Sequence, residues 1–251
     1  MPDTRQTISP CPLCGSTRGA VREIRTQESS GSRLCTAVDC EGCGLTYLSD
    51  YPDDRGALYD ERYAAWGAAE GDELAVASSK RTAFARQLSG LTRHLDAGEK
   101  RLLDVGTGWG YLLDVAASAG FDVRGLDTSA AAAKKTSERF PGRVVARSLA
   151  DARYADASFD VVTMTDVIEH VADPAGLIRE VARVLRPGGH LFIITPDTDS
   201  LSHRLLGARW FQYKYEHVTY WNRKTLERLL APFGFETVSA RPNAKRFALS
   251  Y

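Results

Sequence analysis

The sequence has no cysteine after position 43, no excess of either charge and no long apolar run. All five cysteines lie at positions 11, 14, 35, 40 and 43, and such crowding favours a metal site over scattered disulfides. Basic and acidic residues number 32 each, so no net field attracts the chain to nucleic acid or to an anionic membrane. Because about 18 apolar residues never occur together and the N-terminus lacks a signal-peptide pattern, we expect a cytoplasmic protein.

What is present describes a globular protein of 251 residues, 43% hydrophobic and 25% charged. This length allows one main core and a small appendage. The predicted organisation is a cysteine module over residues 1–48, a connecting helical or lid region over 49–99, and an α/β domain over 100–251. In the connecting region, "YPDDRGALYDERYAAWG" carries turn residues and then aromatic residues at helical spacing, and "DELAVASSKRTAFARQLSGLTRHL" predicts an amphipathic helix.

The cysteine module contains two Cys-x2-Cys knuckles, "CPLC" and "CEGCG", with 25 residues between them. Gly15 and Gly44 follow the knuckles and allow the tight turns that aim four thiolates at one Zn²⁺. The intervening residues predict a strand, a Ser/Gly turn and a returning strand. Cys35 is interpreted as a spare thiol, and a thioredoxin-type role for "CPLC" lacks the βαβ context. The predicted ligands of this closed, structural site are Cys11, Cys14, Cys40 and Cys43.

A glycine loop follows a short apolar strand in "RLLDVGTGWGYLLDVAASAG", which continues as a helix. Gly106, Gly108 and Gly110 let the backbone pass close to a ligand, and Asp104 offers a carboxylate at the end of the strand. The next strand ends in Asp127, where an acidic side chain can accept hydrogen bonds from ribose hydroxyls. Together these features predict a nucleotide-like cofactor.

The loop does not match the fingerprint of dinucleotide-binding proteins, because Tyr111 stands where their third glycine permits close helix packing. A nicotinamide oxidoreductase is therefore disfavoured. The carboxylate of Asp104 would repel a pyrophosphate, yet it suits a ligand with a positive amino or sulfonium group. That chemistry describes S-adenosylmethionine (SAM).

Five segments in order, "LLDVGTGWG", "GLDTS", "SFDVVTMTDVIEHVADP", "VLRPGGHLFIITP" and "LLAPFGFE", resemble the class I SAM-dependent methyltransferases. The resemblance implies a Rossmann-like, doubly wound sheet of seven mostly parallel strands. By position it assigns the glycine loop to the methionine part of SAM, Asp127 to the ribose, Leu149 to the adenine and Asp166 to the methionine end. The cofactor-binding residues that it implies are Asp104, Gly106, Gly108, Gly110, Asp127, Thr128, Leu149 and Asp166.

Two residues depart from that family pattern. Ser148 stands where relatives usually place an aspartate that accepts the adenine amino group, although a hydroxyl can also bond there. Trp109 is bulky for the glycine loop, and we interpret it as a packing residue.

Methyl transfer needs alignment of acceptor and methyl group, and a base when the acceptor is a hydroxyl or an activated carbon. Of five histidines, His94 and His190 are expected to be structural. His203 and His217 fall in residues 196–222, which follow a strand and therefore overhang the ligand edge of the sheet. The same segment holds aromatic and basic residues that either line the substrate or only pack, namely Arg209, Trp210, Tyr213 and Tyr215.

The motif "EHVTYWN" behind a cysteine module resembles the sugar C-methyltransferases of antibiotic pathways, which are longer and carry a further C-terminal domain. The resemblance implies that Glu216 and His217 form the base unit. In many class I enzymes, however, a histidine at this place only docks the helix that follows. Both interpretations of His217 stay open.

Asp166, Glu169 and His170 are spaced i, i+3 and i+4, so a helical turn would put them on one face. This trio resembles that of ubiquinone-type O-methyltransferases, which implies a Mg²⁺ site. The alternative is that the Glu-His turn only braces its loop.

The sequence thus predicts a SAM-dependent methyltransferase with a structural zinc ribbon and a small-molecule acceptor, for example a nucleotide-linked sugar or a secondary-metabolite intermediate. The alternatives are a ubiquinone-type O-methyltransferase with Mg²⁺ assistance, and a zinc-ribbon binding module with a non-catalytic Rossmann-like domain. Neither nucleic acid nor a membrane is expected as a partner, whereas the ribbon is a candidate contact for another protein.

Overall fold

The computed structural model describes residues 8–28, 31–50, 73–96, 98 and 100–242. The segment "YPDDRGALYDERYAAWG" of the predicted connecting region lies outside these residues. The helix expected after it is present as α1, Glu73–Leu91, and a short 3-10 turn follows at Thr92–His94.

The strands of the described residues belong to two sheets. In chain order they are β1 (Gly19–Glu28), β2 (Gly31–Cys40), β3 (Thr46–Leu48), β4 (Arg101–Val105), β5 (Asp122–Asp127), β6 (Val144–Ala146), β7 (Phe159–Thr165), β8 (Leu185–Ile194) and β9 (Thr219–Tyr220).

The central sheet has the strand order β6-β5-β4-β7-β8, and every neighbouring pair is parallel. β4 and β7 are nearly continuous buried runs, as expected for parallel strands that are covered on both faces. The chain builds outward from β4 to β6 on one side and then returns to β7 on the other side of β4. The strand order therefore switches at the carboxyl end of β4, which is where open α/β sheets bind ligands.

Helices cover both faces of this sheet. Leu102 and Val161 pack on one face with apolar residues of α1 and α2 (Tyr111–Ser118), whereas Leu103 and Val162 pack on the other with α5 (Pro174–Val184). Asp173 caps α5 by accepting a hydrogen bond from the Gly176 amide. The helices after α1 are α2 (Tyr111–Ser118), α3 (Ala130–Arg139), α4 (Leu149–Ala152), α5 (Pro174–Val184), α6 (Leu201–Leu206) and α7 (Arg223–Leu230).

The second sheet is antiparallel, in the order β1-β2-β3-β9. β1 and β2 form the hairpin expected between the two knuckles, with Gly19 opposite Cys40. β9 comes from the far end of the chain, so the cysteine module and the segment around residue 219 share one sheet.

The Rossmann-like α/β class with a cysteine module in front is confirmed. The described residues give the central sheet five parallel strands of the seven expected, residues 234–242 form no strand, and residues 243–251 lie outside the description. Within the described residues, no helix has both the length and the apolar character that spanning a membrane requires.

Candidate functional site

The glycine loop connects β4 to α2 at the switch in strand order. Gly106, Gly108 and Gly110 have φ values of 74°, 50° and 70°, which side-chain-bearing residues rarely adopt. A Cβ on Gly110 would also lie 2.5 Å from Cγ2 of Thr136. The amide of Gly106 donates to the Leu126 carbonyl at 2.8 Å, so the loop is tied to the adjacent strand. The three glycines are therefore required by the shape of the loop.

Asp127 holds this loop in place from the end of β5. It is 1% exposed, and its two carboxylate oxygens accept from the amides of Gly108 at 2.8 Å and Ser129 at 2.9 Å. The carboxylate thus lies next to the glycine loop. Thr128, which follows it, is exposed.

Asp104 is also 1% exposed and accepts a hydrogen bond of 2.7 Å from Oγ1 of Thr163. Desolvation by burial raises the pKa of Asp104 to about 7, the Thr163 hydroxyl opposes this effect, and the charge of Asp127 adds to it. A buried carboxylate in this position favours a positively charged partner. The amino and sulfonium groups of SAM fit that requirement, whereas a pyrophosphate does not.

Asp166 lies at the end of β7, beside the end of β8, where its amide donates to the Ile194 carbonyl at 2.8 Å. Its φ of 55° is unusual for a residue with a side chain, and such strain is concentrated at functional sites. The following residue, Val167, packs against the glycine loop, since Cγ2 of Val167 lies 2.5 Å from the Cβ that Gly106 lacks. The structure therefore brings Asp166 to the same edge as Asp104 and Asp127.

Leu149 and Ser148 lie at the start of α4. Leu149 is 3% exposed and belongs to the core. Ser148 caps the helix by accepting from the Asp151 amide, and its hydroxyl donates to Oδ2 of Asp151 at 2.6 Å. The carboxylate of Asp151 therefore lies beside the position where the family pattern has an aspartate, a relationship that the spacing in the sequence does not reveal.

The histidine cluster consists of Glu169, His170 and His217, whose ligand-capable side-chain atoms lie within 4.8 Å of one another. The rings of His170 and His217 meet edge to face at 4.7 Å between centroids. Nδ1 of His170 lies 3.0 Å from the Glu216 carbonyl, and Nδ1 of His217 lies 3.0 Å from the Gln212 carbonyl. Because a carbonyl only accepts, each Nδ1 carries a hydrogen and each Nε2 is left to face other groups.

Burial distinguishes the members of the histidine cluster. His217 is 3% exposed and Glu169 is 1% exposed, whereas His170 is half-buried. Desolvation lowers the pKa of His170, so its ring is neutral at pH 7. Oε2 of Glu169 accepts from the hydroxyl of Thr195 at 2.9 Å, at the end of β8. The cluster therefore lies at the carboxyl edge of the sheet, where His217 of the segment 196–222 meets the turn of Glu169 and His170.

The expected trio of Asp166, Glu169 and His170 is only partly brought together. Among the described residues, Glu169 and His170 can converge on one ion together with His217, and Asp166 is not part of that group. Residues 168–170 form a single 3-10 turn that begins after Asp166, so the helical register assumed from the sequence does not apply. The carboxylate of Glu169 lies near His217, and the backbone carbonyl of Glu216 faces His170.

The aromatic residues of the segment 196–222 pack on the cysteine module. Trp210, Tyr213 and Tyr215 are at most 8% exposed and form one cluster with residues of β1, β2 and β3. Arg209 is exposed in a 3-10 turn. Of the two roles expected for these rings, the geometry therefore favours packing.

The four cysteines of the knuckles converge. All four sulfur atoms lie within 4.8 Å of one another, and the pairs Cys11–Cys43 and Cys14–Cys40 are 3.5 Å apart. A tetrahedral zinc site with Zn–S bonds of about 2.3 Å requires sulfur atoms about 3.8 Å apart. The arrangement therefore fits Zn²⁺. Cys35 lies outside this group, with its sulfur 3.3 Å from Oγ1 of Thr26.

The sheet order, the glycine loop and the two buried strand-end aspartates define a Rossmann-like methyltransferase fold. The chain belongs to the family described as "Methyltransferase domain", which matches residues 77–240. The expected membership of a methyltransferase family is thereby confirmed.

Two curated relatives are named ubiquinone biosynthesis O-methyltransferase. The one from Ralstonia nicotianae is 35% identical over 119 residues, which are 44% of this chain and 50% of the relative. The one from Thiobacillus denitrificans is 33% identical over 151 residues, which are 55% of this chain and 65% of the relative. The chain thus spans half to about two thirds of these proteins.

Solved structures agree on the fold. A SAM-dependent methyltransferase of Thermotoga maritima superposes with a TM-score of 0.53 at 23% identity, covering 73% of this chain and 80% of that one. A SAM-dependent methyltransferase of Archaeoglobus fulgidus also gives a TM-score of 0.53 at 21% identity, covering 62% and 69%.

Proposed function

We propose that the protein transfers the methyl group of SAM to a hydroxyl or an acidic carbon of a small-molecule acceptor. The observation that carries this proposal is the buried carboxylate of Asp104 beside a glycine loop that Asp127 holds in shape. Asp104 would face the charged methionine end of SAM, and Asp127 with Thr128 would lie at the ribose. Gly106, Gly108, Gly110, Leu149 and Asp166 complete the proposed cofactor site.

The proposed base is His217, with Glu216 and Glu169 as its supporting acids. Its Nδ1 faces the Gln212 carbonyl, so Nε2 is the nitrogen that can take a proton. Glu216 holds His170 through its carbonyl, and His170 lies against His217. Because His217 is 3% exposed, the acceptor does not reach Nε2 directly in this conformation. Proton transfer to Nε2 therefore requires either that part of the segment 196–222 shifts or that the half-buried His170 relays the proton.

Cys11, Cys14, Cys40 and Cys43 are proposed to hold a structural Zn²⁺, on the strength of their mutual distances. Four thiolates leave no open position on the ion, so it takes no part in the transfer. We also propose that the chain divides into a ribbon (1–48), a connecting region (49–99) and a methyltransferase domain (100–251). The ribbon is proposed as a contact for another protein.

The acceptor is proposed to be a nucleotide-linked sugar or an intermediate of secondary metabolism. A second candidate is O-methylation of a phenolic acceptor of ubiquinone type, assisted by a divalent cation. The names of the curated relatives favour it, and so does the convergence of Glu169, His170 and His217. Two imidazoles and one carboxylate suit Zn²⁺, Mn²⁺ or Fe²⁺ better than Mg²⁺, which prefers oxygen ligands.

Transfer of labelled methyl groups from SAM separates these candidates. The purified protein is tested against nucleotide-linked sugars and against catechols, each with and without added Mg²⁺, Mn²⁺ or Zn²⁺. Turnover of a sugar without added cation supports the first acceptor class, and cation-dependent turnover of a catechol supports the second. Calorimetry with SAM is the common control, because failure to bind SAM would contradict both.

A further inference from the structure

Backbone hydrogen bonds join the cysteine module to the histidine cluster. β3 pairs with β9, with Tyr47 opposite Thr219. Next to this pair, the amide of Leu48 donates to the carbonyl of Val218 at 3.0 Å, and the amide of Val218 donates to the carbonyl of Glu169 at 2.8 Å. The peptide that follows His217 is thus held by the module on one side and by the turn of Glu169 and His170 on the other.

The side chain of Thr219 strengthens the same connection. It is fully buried, and its hydroxyl lies 3.3 Å from the carbonyl of Ile168 and 3.4 Å from that of Glu169. The residue therefore pairs with β3 through its backbone and reaches the 168–170 turn through its side chain.

A second connection runs through Tyr213. Its hydroxyl accepts from the guanidinium of Arg22 in β1 at 2.9 Å and lies 2.9 Å from Nε2 of His203. Nδ1 of His203 lies 2.6 Å from the Thr198 carbonyl, so this nitrogen carries the hydrogen and Nε2 accepts from Tyr213. The start of the segment 196–222 is thereby attached to the module as well.

Two of the four metal ligands lie just before β3, the strand that makes these contacts. Cys40 is the last residue of β2, and Cys43 comes three residues before β3 begins. The Cys40 amide donates to the Leu45 carbonyl at 2.9 Å, which closes the second knuckle. A cation bound by the four sulfur atoms therefore fixes where β3 starts.

We infer that the cysteine module is a positioning element of the methyl-transfer site. The metal fixes β3, and β3 fixes His217 against Glu169 and His170 through Val218 and Thr219. Leu48, Val218 and Thr219 are positioning residues, because they act through the backbone of their neighbours. The consequence for catalysis rests on the proposed role of His217. The coupling between the cysteine module and the segment 196–222 does not depend on that role.

Amide exchange on the full chain tests the coupling without an activity assay. The zinc-loaded protein is compared with protein treated with a chelator, and exchange is followed at Val218 and at Leu103 in the central sheet. We expect exchange at Val218 to accelerate by roughly tenfold or more on metal removal while Leu103 stays protected. If the Cys40 amide exchanges faster after metal removal while the Val218 amide stays as protected as before, the inference is wrong.

A matched pair of variants covers the case in which chelation unfolds the whole chain. Thr219→Val deletes the hydroxyl and keeps the shape, and Thr82→Val makes the same change on the exposed side of α1. Because coupling is reciprocal, we expect Thr219→Val to release zinc to a competing chelator at a several-fold lower chelator concentration. Thr82→Val should release it like the unmodified chain.

Zinc retention equal to that of the unmodified chain in Thr219→Val, together with unchanged exchange at Val218, would overturn the inference. SAM affinity should stay within about twofold in both variants, since the glycine loop is not part of the connection. If His217 is not the base, turnover will survive its removal while amide exchange at Val218 still depends on the metal. That result would contradict the proposed function and leave the coupling intact.

Discussion

The rings of His170 and His217 meet edge to face, with 4.7 Å between their centroids and 86° between their planes. Both belong to a Glu-His-Val tripeptide, at residues 169–171 and 216–218, and each Nδ1 faces a backbone carbonyl. The fold thus aligns two imidazoles beside the buried carboxylate of Glu169. This relationship makes the role of His217 testable with substitutions that separate its two nitrogens.

Replacement of His217 by Asn is expected to lower kcat by about 10²- to 10⁴-fold, because Asn can donate to the Gln212 carbonyl but has no group at the place of Nε2. SAM affinity should stay within about twofold, since the glycine loop is untouched. Single-turnover methyl transfer and calorimetry measure the two effects. His94→Asn, on the exposed turn after α1, is the matched control. Near-normal kcat in His217→Asn would show that the residue only braces its segment.

Burial lowers the pKa of His170 from its ordinary value of 6.5. Because a protonated ring cannot accept a proton from His217, we expect turnover to fall only when the pH drops below 6.5. The unfolded chain binds this proton more readily than the folded chain, so the stability contributed by His170 is lost as pH falls through its folded pKa. Titration of the ring followed by NMR gives this pKa directly. An apparent pKa of His170 above 6.5 would contradict this neutral, partly desolvated state.

Asp104→Asn is expected to weaken SAM binding by more than about tenfold while stabilising the ligand-free protein above pH 7. The pKa of Asp104 is raised to about 7, so the folded chain binds the proton more tightly than the unfolded chain does. Stability of the ligand-free protein should therefore fall as pH rises from about 4 to 7, by on the order of 1 kcal/mol per pH unit.

Chemical denaturation at several pH values measures this slope, which Asn should abolish because it does not titrate. The Thr163 hydroxyl can still donate to the amide oxygen of Asn, so the local hydrogen bond is kept. If the dependence of stability on pH persists in Asp104→Asn, another titrating group is responsible for it.

Gly110→Ala is expected to abolish SAM binding, and Gly142→Ala is its control. The two glycines have φ values of 70° and 69°, so both substitutions carry a similar backbone strain of roughly 1–2 kcal/mol. Only the Cβ at position 110 meets other atoms, with Thr136 Cγ2 at 2.5 Å, whereas none lies within 4 Å at position 142. Calorimetry and thermal unfolding separate the shared strain from the distortion of the loop. Equal losses of stability and of SAM affinity in both variants would contradict this account.

Metal analysis of the purified protein is expected to find one zinc ion per chain. Cys11→Ser should lose the ion and lower Tm, because a missing thiolate opens a site that is otherwise complete. Cys35→Ser should keep the ion, since the sulfur of Cys35 lies beside Thr26 and outside the four-sulfur group. Loss of zinc in Cys35→Ser alone would mean that the ligands have been assigned wrongly.

The sequence by itself determined the class of fold and the edge of the sheet where we propose that the cofactor binds. Spacing alone located the glycine loop with its flanking aspartates and the two cysteine knuckles, because backbone conformation and metal geometry restrict which residues can serve there. Pattern also predicted the hairpin between the knuckles and the helix that became α1.

Only the tertiary structure decided which side chains surround His217. The sequence suggested Asp166 as the partner of Glu169 and His170, but a 3-10 turn replaces the assumed helical register, and His217 takes that place from a distant segment. The pairing of β9 with the cysteine module was equally hidden, since β9 has two residues and leaves no periodicity to detect. Contacts between segments far apart in the chain depend on how the whole core packs, so local sequence patterns do not predict them.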